Sequence, residues 1–371
     1  MKKLYLNVEE FQEYLKNRKI VCFGAGKHGR RMLDILHNYH KLNDLIGFID
    51  NTSEKWDTCI QYADKSYSIM SLQQAKNILD EDVVIIITCL DYISVLNQLE
   101  TEPALTNCTC VSLVEVGQKQ LLSSDYAEVV KQYDSPVIPK KIHYCWFGGK
   151  EKSDLLKRNI EQWHQICPDY EIIEWNESNY DVTKNAYMRQ AYDKERWGFV
   201  PDYARLDIIY EHGGIYLDTD VEIIKKPDEL LYQDCFAAGE GSLLMALGAG
   251  FGARPKCEII RELRDYYDDV SFIRENGSVD DTACMMHSYA VLKKHGYKVN
   301  DKLQIVNGMA IYPMIFQGTC SYLCQKRITD KTYFCHYGSN TWLDEKYHVI
   351  KRKIAESSYS EGQGELISYK I

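Results

Sequence analysis

Residues 213–222 read Gly-Gly-Ile-Tyr-Leu-Asp-Thr-Asp-Val-Glu, an apolar run that ends in Asp218 and Asp220, two positions apart. In extended chain, successive side chains leave opposite faces, so this spacing sends both carboxylates to one side and Thr219 to the other. Two anionic oxygens on one face are half of a site for a hard divalent cation, which completes its shell with water and substrate phosphates. The same residues also suit a polar turn that closes a strand, and the surrounding sequence has to decide between the two.

Upstream lies Pro201-Asp202-Tyr203-Ala204-Arg205-Leu206-Asp207-Ile208-Ile209. Asp202 and Arg205, three apart, share one face of a helix near its start, while Leu206 and Ile209 fall on a core-facing stripe. Alone, such a pair is an ordinary surface ion pair. Gly213-Gly214 ends that helix and turns the chain into the apolar run, so Asp202, Arg205 and Asp218 can converge on one pocket. A second motif, Gly24-Ala25-Gly26-Lys27-His28-Gly29, follows a predicted strand and opens a predicted helix, with Asp50 ending the next strand. Gly24, Gly26, Gly29 and Asp50 are spaced as in a dinucleotide fingerprint, in which glycines admit a pyrophosphate and the acid takes a ribose hydroxyl. The same glycines also serve a doubly wound domain that keeps the tight turn for packing alone. Asp280 and Asp281 open another predicted helix, where they cap it or face an acceptor; capping is the simpler role.

The elements that must position these residues are legible from periodicity. Ile20–Phe23, Leu45–Asp50, Val83–Thr88 and Thr109–Val114 read as strands, and Lys27–His40 and Ser71–Leu79 as helices, the second opening on a Ser71 N-cap. This alternation predicts a Rossmann-like, doubly wound domain over residues 1–117, able to bind a nucleotide or to regulate. Residues 118–137, polar and closing on Pro136, read as a linker. Residues 138–371 form a second α/β domain: strand Lys141–Phe147, helix Ser153–Ile166, strand Tyr170–Trp175, helices Lys184–Lys194 and Val200–His212, then strand Ile215–Leu217 into the acidic pair. Beyond it, Cys235–Ala238, Leu243–Ala249 and Tyr333–His336 read as strands, and Lys256–Tyr267 and Asp280–His295 as helices.

Composition narrows the function classes. The 371 residues are 45% apolar and 26% charged, the balance of a folded globular enzyme. A net charge of −10 disfavours nucleic acid, whose phosphates require clustered Lys and Arg. Thirteen cysteines, without a Cys-x-x-Cys pair or a secretory leader, read as reduced, mostly buried thiols. The longest membrane-like run, Val83–Ile87, falls far short of the ~20 residues of a spanning helix. A cytoplasmic protein is expected.

The run from Asp202 to Asp220 resembles the glycosyltransferase sugar-binding region with its Asp-x-Asp motif, as in family 32, which includes fungal mannosyltransferases and bacterial capsular polysaccharide synthesis enzymes. Large glucosylating toxins share the pattern Asp-x-x-Arg followed by Gly-Gly-x-Tyr-Leu-Asp-x-Asp. Ile138 to Gly149 is similar to the family's opening strand, Trp163, Pro168–Glu171 and Trp175–Glu177 to its second strand, and His336 to Trp342 to its closing loop, with Thr341 in place of the usual Ser. The N-terminal run Ile46-Gly47-Phe48-Ile49-Asp50-Asn51 resembles Rossmann-like domains attached to bacterial sugar-modifying enzymes such as sugar O-acyltransferases.

The resemblance implies a GT-A-type domain and a retaining transferase that moves a hexose from a nucleotide diphosphate sugar, a UDP-sugar favoured, to a polysaccharide or glycolipid acceptor. It implies Asp202, Arg205, Asp218 and Asp220 as catalytic residues, and Trp146, Tyr216, Thr341 and Trp342 around the donor, Trp146 stacking on the base. Asp218, Asp220 and His336 would hold Mn²⁺ or Mg²⁺, the imidazole making Mn²⁺ at least as suitable. A lipid-linked acceptor would bring the protein to the inner face of the membrane. Other readings are NAD-dependent oxidoreductase or epimerase chemistry at the glycine loop, an effector transferase acting on protein, and a non-catalytic nucleotide-sugar sensor.

Overall fold

The computed structural model describes residues 1–241, 244–320, 325–338, 345–360 and 365–366. The chain divides into two compact units: one contains Met1–Ser123 together with most of the last helix from Val349 onward, the other Ser124–His348.

The first unit is built on a seven-stranded sheet. Its elements in chain order are β1 (Lys2–Leu4), α1 (Val8–Tyr14), β2 (Lys19–Phe23), α2 (Lys27–Asn38), β3 (Leu45–Ile49), β4 (Cys59–Tyr62), β5 (Lys65–Met70), α3 (Leu72–Ala75), β6 (Val83–Ile87), α4 (Tyr92–Glu100), β7 (Thr109–Ser112) and α5 (Leu113–Ser123). The strands run in the order β1-β7-β6-β2-β3-β5-β4. All neighbours are parallel except the hairpin β4–β5. The order reverses between β2 and β6, as in doubly wound folds. Val83-Val84-Ile85-Ile86-Ile87 is buried throughout, which is what a strand covered on both faces requires. Ser71 forms the expected cap of α3, with Gln74 reciprocating.

Two boundaries differ from the sequence expectation. Residues 118–123 belong to α5 rather than to a linker, because Gln118, Gln120 and Leu121 are buried on that helix. The stretch after it packs with the second unit through Tyr126, whose hydroxyl donates to the Lys331 carbonyl at 2.7 Å.

The second unit contains β8 (Lys141–Cys145), α6 (Asp154–Ile166), β9 (Glu171–Trp175), α7 (Ala186–Asp193), α8 (Pro201–His212), β10 (Gly214–Tyr216), β11 (Val221–Ile223), β12 (Cys235–Ala238), β13 (Phe251–Ala253), α9 (Glu258–Asp265), α10 (Cys284–Leu292), β14 (Gln304–Val306), β15 (Met309–Tyr312), β16 (Thr319–Cys320), β17 (Gln325–Lys326) and β18 (Phe334–His336), and the first residues of α11 (Glu345–Ser360), the rest of which belongs to the first unit. Its main sheet runs β14-β15-β12-β13-β10-β8-β9, and β11 pairs separately with β18. β8 lies parallel to both β9 and β10, so the carboxyl ends of these strands open on one edge. The α/β class expected from the sequence holds in both units.

Of the strand expected over Leu243–Ala249, Leu243 lies outside the described residues and residues 244–249 do not form a strand. From Leu244 the run folds back as a buried loop, tied by Ala246 N–H to the Ala238 carbonyl and bridged between Met245 and Gly239. Glycines at 239, 241, 248 and 250 interrupt any extended ladder, and the strand forms one step later, at β13. The helix expected from Asp280 begins at Cys284 with Ala283 as its N-cap, so Asp280 does not cap it. Asp280 instead accepts from the Thr282 amide at 3.0 Å and pairs with Arg274 at 2.7 Å.

Candidate active site

The geometry begins at the turn from α8 to β10. Gly213 and Gly214 sit at φ of +62° and +105°, where a side chain would be strained. A Cβ on Gly214 would also stand 2.9 Å from the His143 ring. That ring is wholly buried on β8: its Nε2 bonds the Gly213 carbonyl at 2.9 Å and its Nδ1 accepts from the Trp175 indole at 3.0 Å. The two bonds fix the neutral tautomer with hydrogen on Nε2. Burial pushes the His143 pKa down to about 4. His143 therefore locks the corner that sets α8 against β10.

The corner carries α8 and its ion pair into the interior. Asp202 and Arg205 are each 3% exposed, and Arg205 Nη2 lies 3.1 Å from Asp202 Oδ1. Arg205 Nη1 reaches Asp218 Oδ2 at 3.5 Å, and its guanidinium stands 5.1 Å from the Tyr216 ring centre. This is a buried network rather than a surface pair, and removing one member would strand a charge in low dielectric. Burial, working against Arg205, pushes Asp202 up to about 7.

Asp218 and Asp220 are not on a strand, contrary to the expectation from their spacing. β10 stops at Tyr216, and the pair sits in a turn closed by the Val221 amide on the Asp218 carbonyl at 3.1 Å. α6 fastens that turn from behind: Asn159 donates to the Thr219 carbonyl at 3.0 Å and the Trp163 indole to the Val221 carbonyl at 2.9 Å. The turn leads straight into β11, whose register pairs Val221 with His336 on β18. Next to that pair, the Tyr337 amide donates to the Asp220 carbonyl at 3.0 Å. His336 Nε2 consequently lies 3.4 Å from Asp220 Oδ1.

Asp218, Asp220 and His336 each offer one ligand atom within 4.8 Å of the others. Two carboxylates and an imidazole suit a divalent ion of the Mn²⁺ or Mg²⁺ type. Space is kept for them by Gly248, whose amide oxygen accepts from the Asp218 N–H at 3.0 Å. A Cβ there would stand 2.1 Å from Asp218 Oδ2 and 2.9 Å from Arg205 Nη1. The Asp218 side chain keeps 31% of its surface exposed, against 11% for Asp220 and 15% for His336, so its carboxylate is the most outward-facing of the three. Desolvation and the neighbouring Asp220 raise its pKa against the pull of Arg205. Desolvation disfavours charged His336, but Glu240 and Asp220 outweigh it and hold its pKa well above the ordinary value.

The remaining sequence candidates fall differently. Tyr216 cannot close over a donor: it is 1% exposed, and its hydroxyl donates inward to Asp218 Oδ1 at 3.1 Å. Position 216 is the last paired residue of a central strand, and its side chain belongs to the core beneath the carboxylate. Trp146, just beyond β8, shares the sheet edge with Asp218; its indole donates to the Lys150 carbonyl at 2.6 Å and the Lys152 ammonium lies 5.3 Å from its ring. Thr341 and Trp342 lie outside the described residues. In the first unit, Asp50 Oδ2 accepts from the Ala25 amide of the glycine loop at 2.8 Å and meets Lys55 at 3.0 Å, while Oδ1 accepts from Thr52 at 2.9 Å. A Cβ on Gly29 would stand 2.0 Å from the Gly24 carbonyl, so this glycine serves the contact between helix and loop. Gly248 and Glu240 escaped the sequence reading; the only signal at Gly248 was a glycine inside an otherwise apolar run.

Comparison with known proteins sets part of this arrangement beside a known family. Residues 153–237 match the family described as glycosyltransferase sugar-binding region containing DXD motif. This segment is similar to a glycosyltransferase sugar-binding region. The match runs from the cap of α6 through the acidic turn to β12, and stops short of His336. Inositol phosphoceramide mannosyltransferase 3 of Schizosaccharomyces pombe is 30% identical over 113 residues, covering 29% of this chain and 31% of that protein. This chain thus spans about a third of the length of that curated relative. An uncharacterized glycosyltransferase, L373, of Acanthamoeba polyphaga mimivirus is 22% identical over 223 residues, 56% of this chain and 84% of that one. Among solved structures, the PaToxG glycosyltransferase aligns over 57% of this chain and 85% of its own, at 14% identity and a TM-score of 0.34.

Proposed function

We propose that this protein is a divalent-cation-dependent, retaining glycosyltransferase of GT-A type that moves a hexose from a nucleotide diphosphate sugar, a UDP-sugar in the first instance, to a polysaccharide or glycolipid acceptor. The observation that carries the reading is the convergence of Asp218, Asp220 and His336 within 4.8 Å, inside or beside the matched sugar-binding region. Asp220 and His336 would hold the cation directly, with the outward-facing Asp218 divided between cation and sugar or ribose hydroxyls. When bound, Mn²⁺ or Mg²⁺ shields the diphosphate and acts as a Lewis acid on the leaving group. Arg205 holds Asp218 from behind and fixes its orientation, Asp202 holds Arg205, and Trp146 offers a ring at the same sheet edge for a base to stack on.

The name of the fungal relative gives mannose as its sugar and inositol phosphoceramide as its acceptor, which supports a hexose and a lipid-bound acceptor for this chain. No helix among the described residues is long and apolar enough to cross a membrane, so such an acceptor would be met from the membrane surface. The test is nucleotide release from a panel of UDP- and GDP-sugars with Mn²⁺. Wild type turns over at least one donor, and Asp220→Asn lowers the rate at least about 100-fold, the scale of losing a principal electrostatic contact in a transition state. Equal rates for the two proteins overturn the assignment.

A further inference from the structure

We propose that Glu240 is a positioning residue of the cation site: it selects which nitrogen of His336 is presented to the cation and strengthens that nitrogen as a donor. The inference rests on the reading of Asp218, Asp220 and His336 as ligands. Glu240 lies two residues beyond β12 and is 2% exposed. Its amide donates to the Leu244 carbonyl at 3.0 Å, which anchors it in the loop that folds back beneath the site. Its Oε1 stands 3.1 Å from His336 Nδ1, while Nε2 of the same ring is 3.4 Å from Asp220 Oδ1.

The backbone register of β11 and β18 places His336 beside the acidic turn but does not by itself decide which ring nitrogen faces Asp220. A carboxylate at Nδ1 decides it. A neutral imidazole that donates Nδ1–H to Glu240 has its lone pair on Nε2, the nitrogen turned to Asp220. An amide or a hydroxyl could orient the ring equally well without the cost of burying a carboxylate. What a carboxylate adds is negative charge, which makes the opposite nitrogen the stronger donor to a metal. The arrangement carboxylate–imidazole–cation gives this buried acid a role that ring orientation alone would not require.

The experiment measures Mn²⁺ alone on the full chain, without donor or turnover, from the electron paramagnetic resonance signal of free Mn²⁺. Asp220→Asn first establishes the site by losing most of the binding. Glu240→Ala then weakens Mn²⁺ about 10- to 100-fold, the range for loss of such an outer partner, and the isosteric Glu240→Gln weakens it several-fold. In a His336→Ala background, Glu240→Ala changes the affinity less than twofold, because its effect passes through the ring; a merely structural role would persist there. Wild-type affinity in both Glu240 variants, or an undiminished loss in the His336→Ala background, overturns the proposal. If Glu240→Ala does not fold, Glu240→Gln decides by the same criterion. Should Asp220→Asn retain wild-type affinity, the cation-site reading itself falls; should Asp220→Asn lose binding and the Glu240 variants keep it, only this inference falls.

Discussion

The glycine loop of the first unit and the acidic turn of the second both join carboxylates to glycines, but they use the carboxylates in opposite ways. Asp50 is saturated by its own surroundings: both oxygens accept from backbone amides, and Lys55 neutralises the charge. Asp218 leans on Arg205 and Tyr216 yet keeps part of its surface open, beside Asp220 and His336. The glycines differ likewise. Gly29 lets two backbone segments touch, whereas Gly248 leaves room for a carboxylate. A carboxylate that completes a fold has its partners inside the fold; one that waits for a ligand is held from behind and left open in front.

Four measurements break or sharpen that contrast. The largest effect belongs to Gly248→Ala, whose methyl would collide with Asp218 Oδ2 at 2.1 Å. Nucleotide release should fall about 100-fold as the carboxylate is displaced, since a 1 Å misplacement costs that much, while thermal unfolding shifts by only a few degrees. An unchanged rate would mean that the position of Asp218 is irrelevant to turnover. In the first unit, Gly29→Ala forces apart backbone atoms 2.0 Å from the new methyl and should destabilise by roughly 1–3 kcal/mol, the usual cost of overpacking. Denaturant unfolding reads this, and turnover below the transition should stay at the wild-type level.

A pH series addresses the corner at His143. Its folded pKa is depressed from 6.5 to about 4, so the neutral ring contributes stability that is complete above the ordinary value and is lost as pH falls through the folded one. The free energy of unfolding should therefore drop between pH 6.5 and 4 by on the order of a few kcal/mol, and His143→Gln should flatten that part of the profile. A profile identical to wild type would show that the ring is not the titrating group. The smallest effect is expected of Asp50→Asn. The charge pair between buried Asp50 and half-exposed Lys55 is worth at most about 1 kcal/mol, Asn keeps an acceptor for one of the two backbone amides, turnover should be unchanged, and NAD(H) titrated into the full chain should give no saturable signal before or after the change. A saturable isotherm abolished by Asp50→Asn would erase the contrast between the two regions.

Elements whose burial follows their own periodicity were readable from the sequence. β6 is apolar throughout, and α8 begins on Pro201 and ends on Gly213 as its punctuation demands. The pairing of Asp218 with Asp220 was also readable, but for a reason that does not hold, because the two sit in a turn whose shape is set by Asn159, Trp163 and the β11–β18 ladder. The hairpin β4–β5, with its alternating half-exposed residues, gave no strong pattern. Glu240 was beyond reach altogether: it meets His336 across 96 residues of sequence, and nothing local distinguishes it from a surface glutamate. Local pattern shows which side chains are in the interior, and long-range strand pairing decides which of them face one another.

The pairing of Val221 with His336 has a consequence for how the protein comes into being. A ribosome delivers the acidic turn more than a hundred residues before the strand that carries the histidine, so a nascent chain carries the two carboxylates without their histidine neighbour over that whole stretch of synthesis. The acidic turn therefore gains the register that sets it beside His336 only when that late strand pairs with β11.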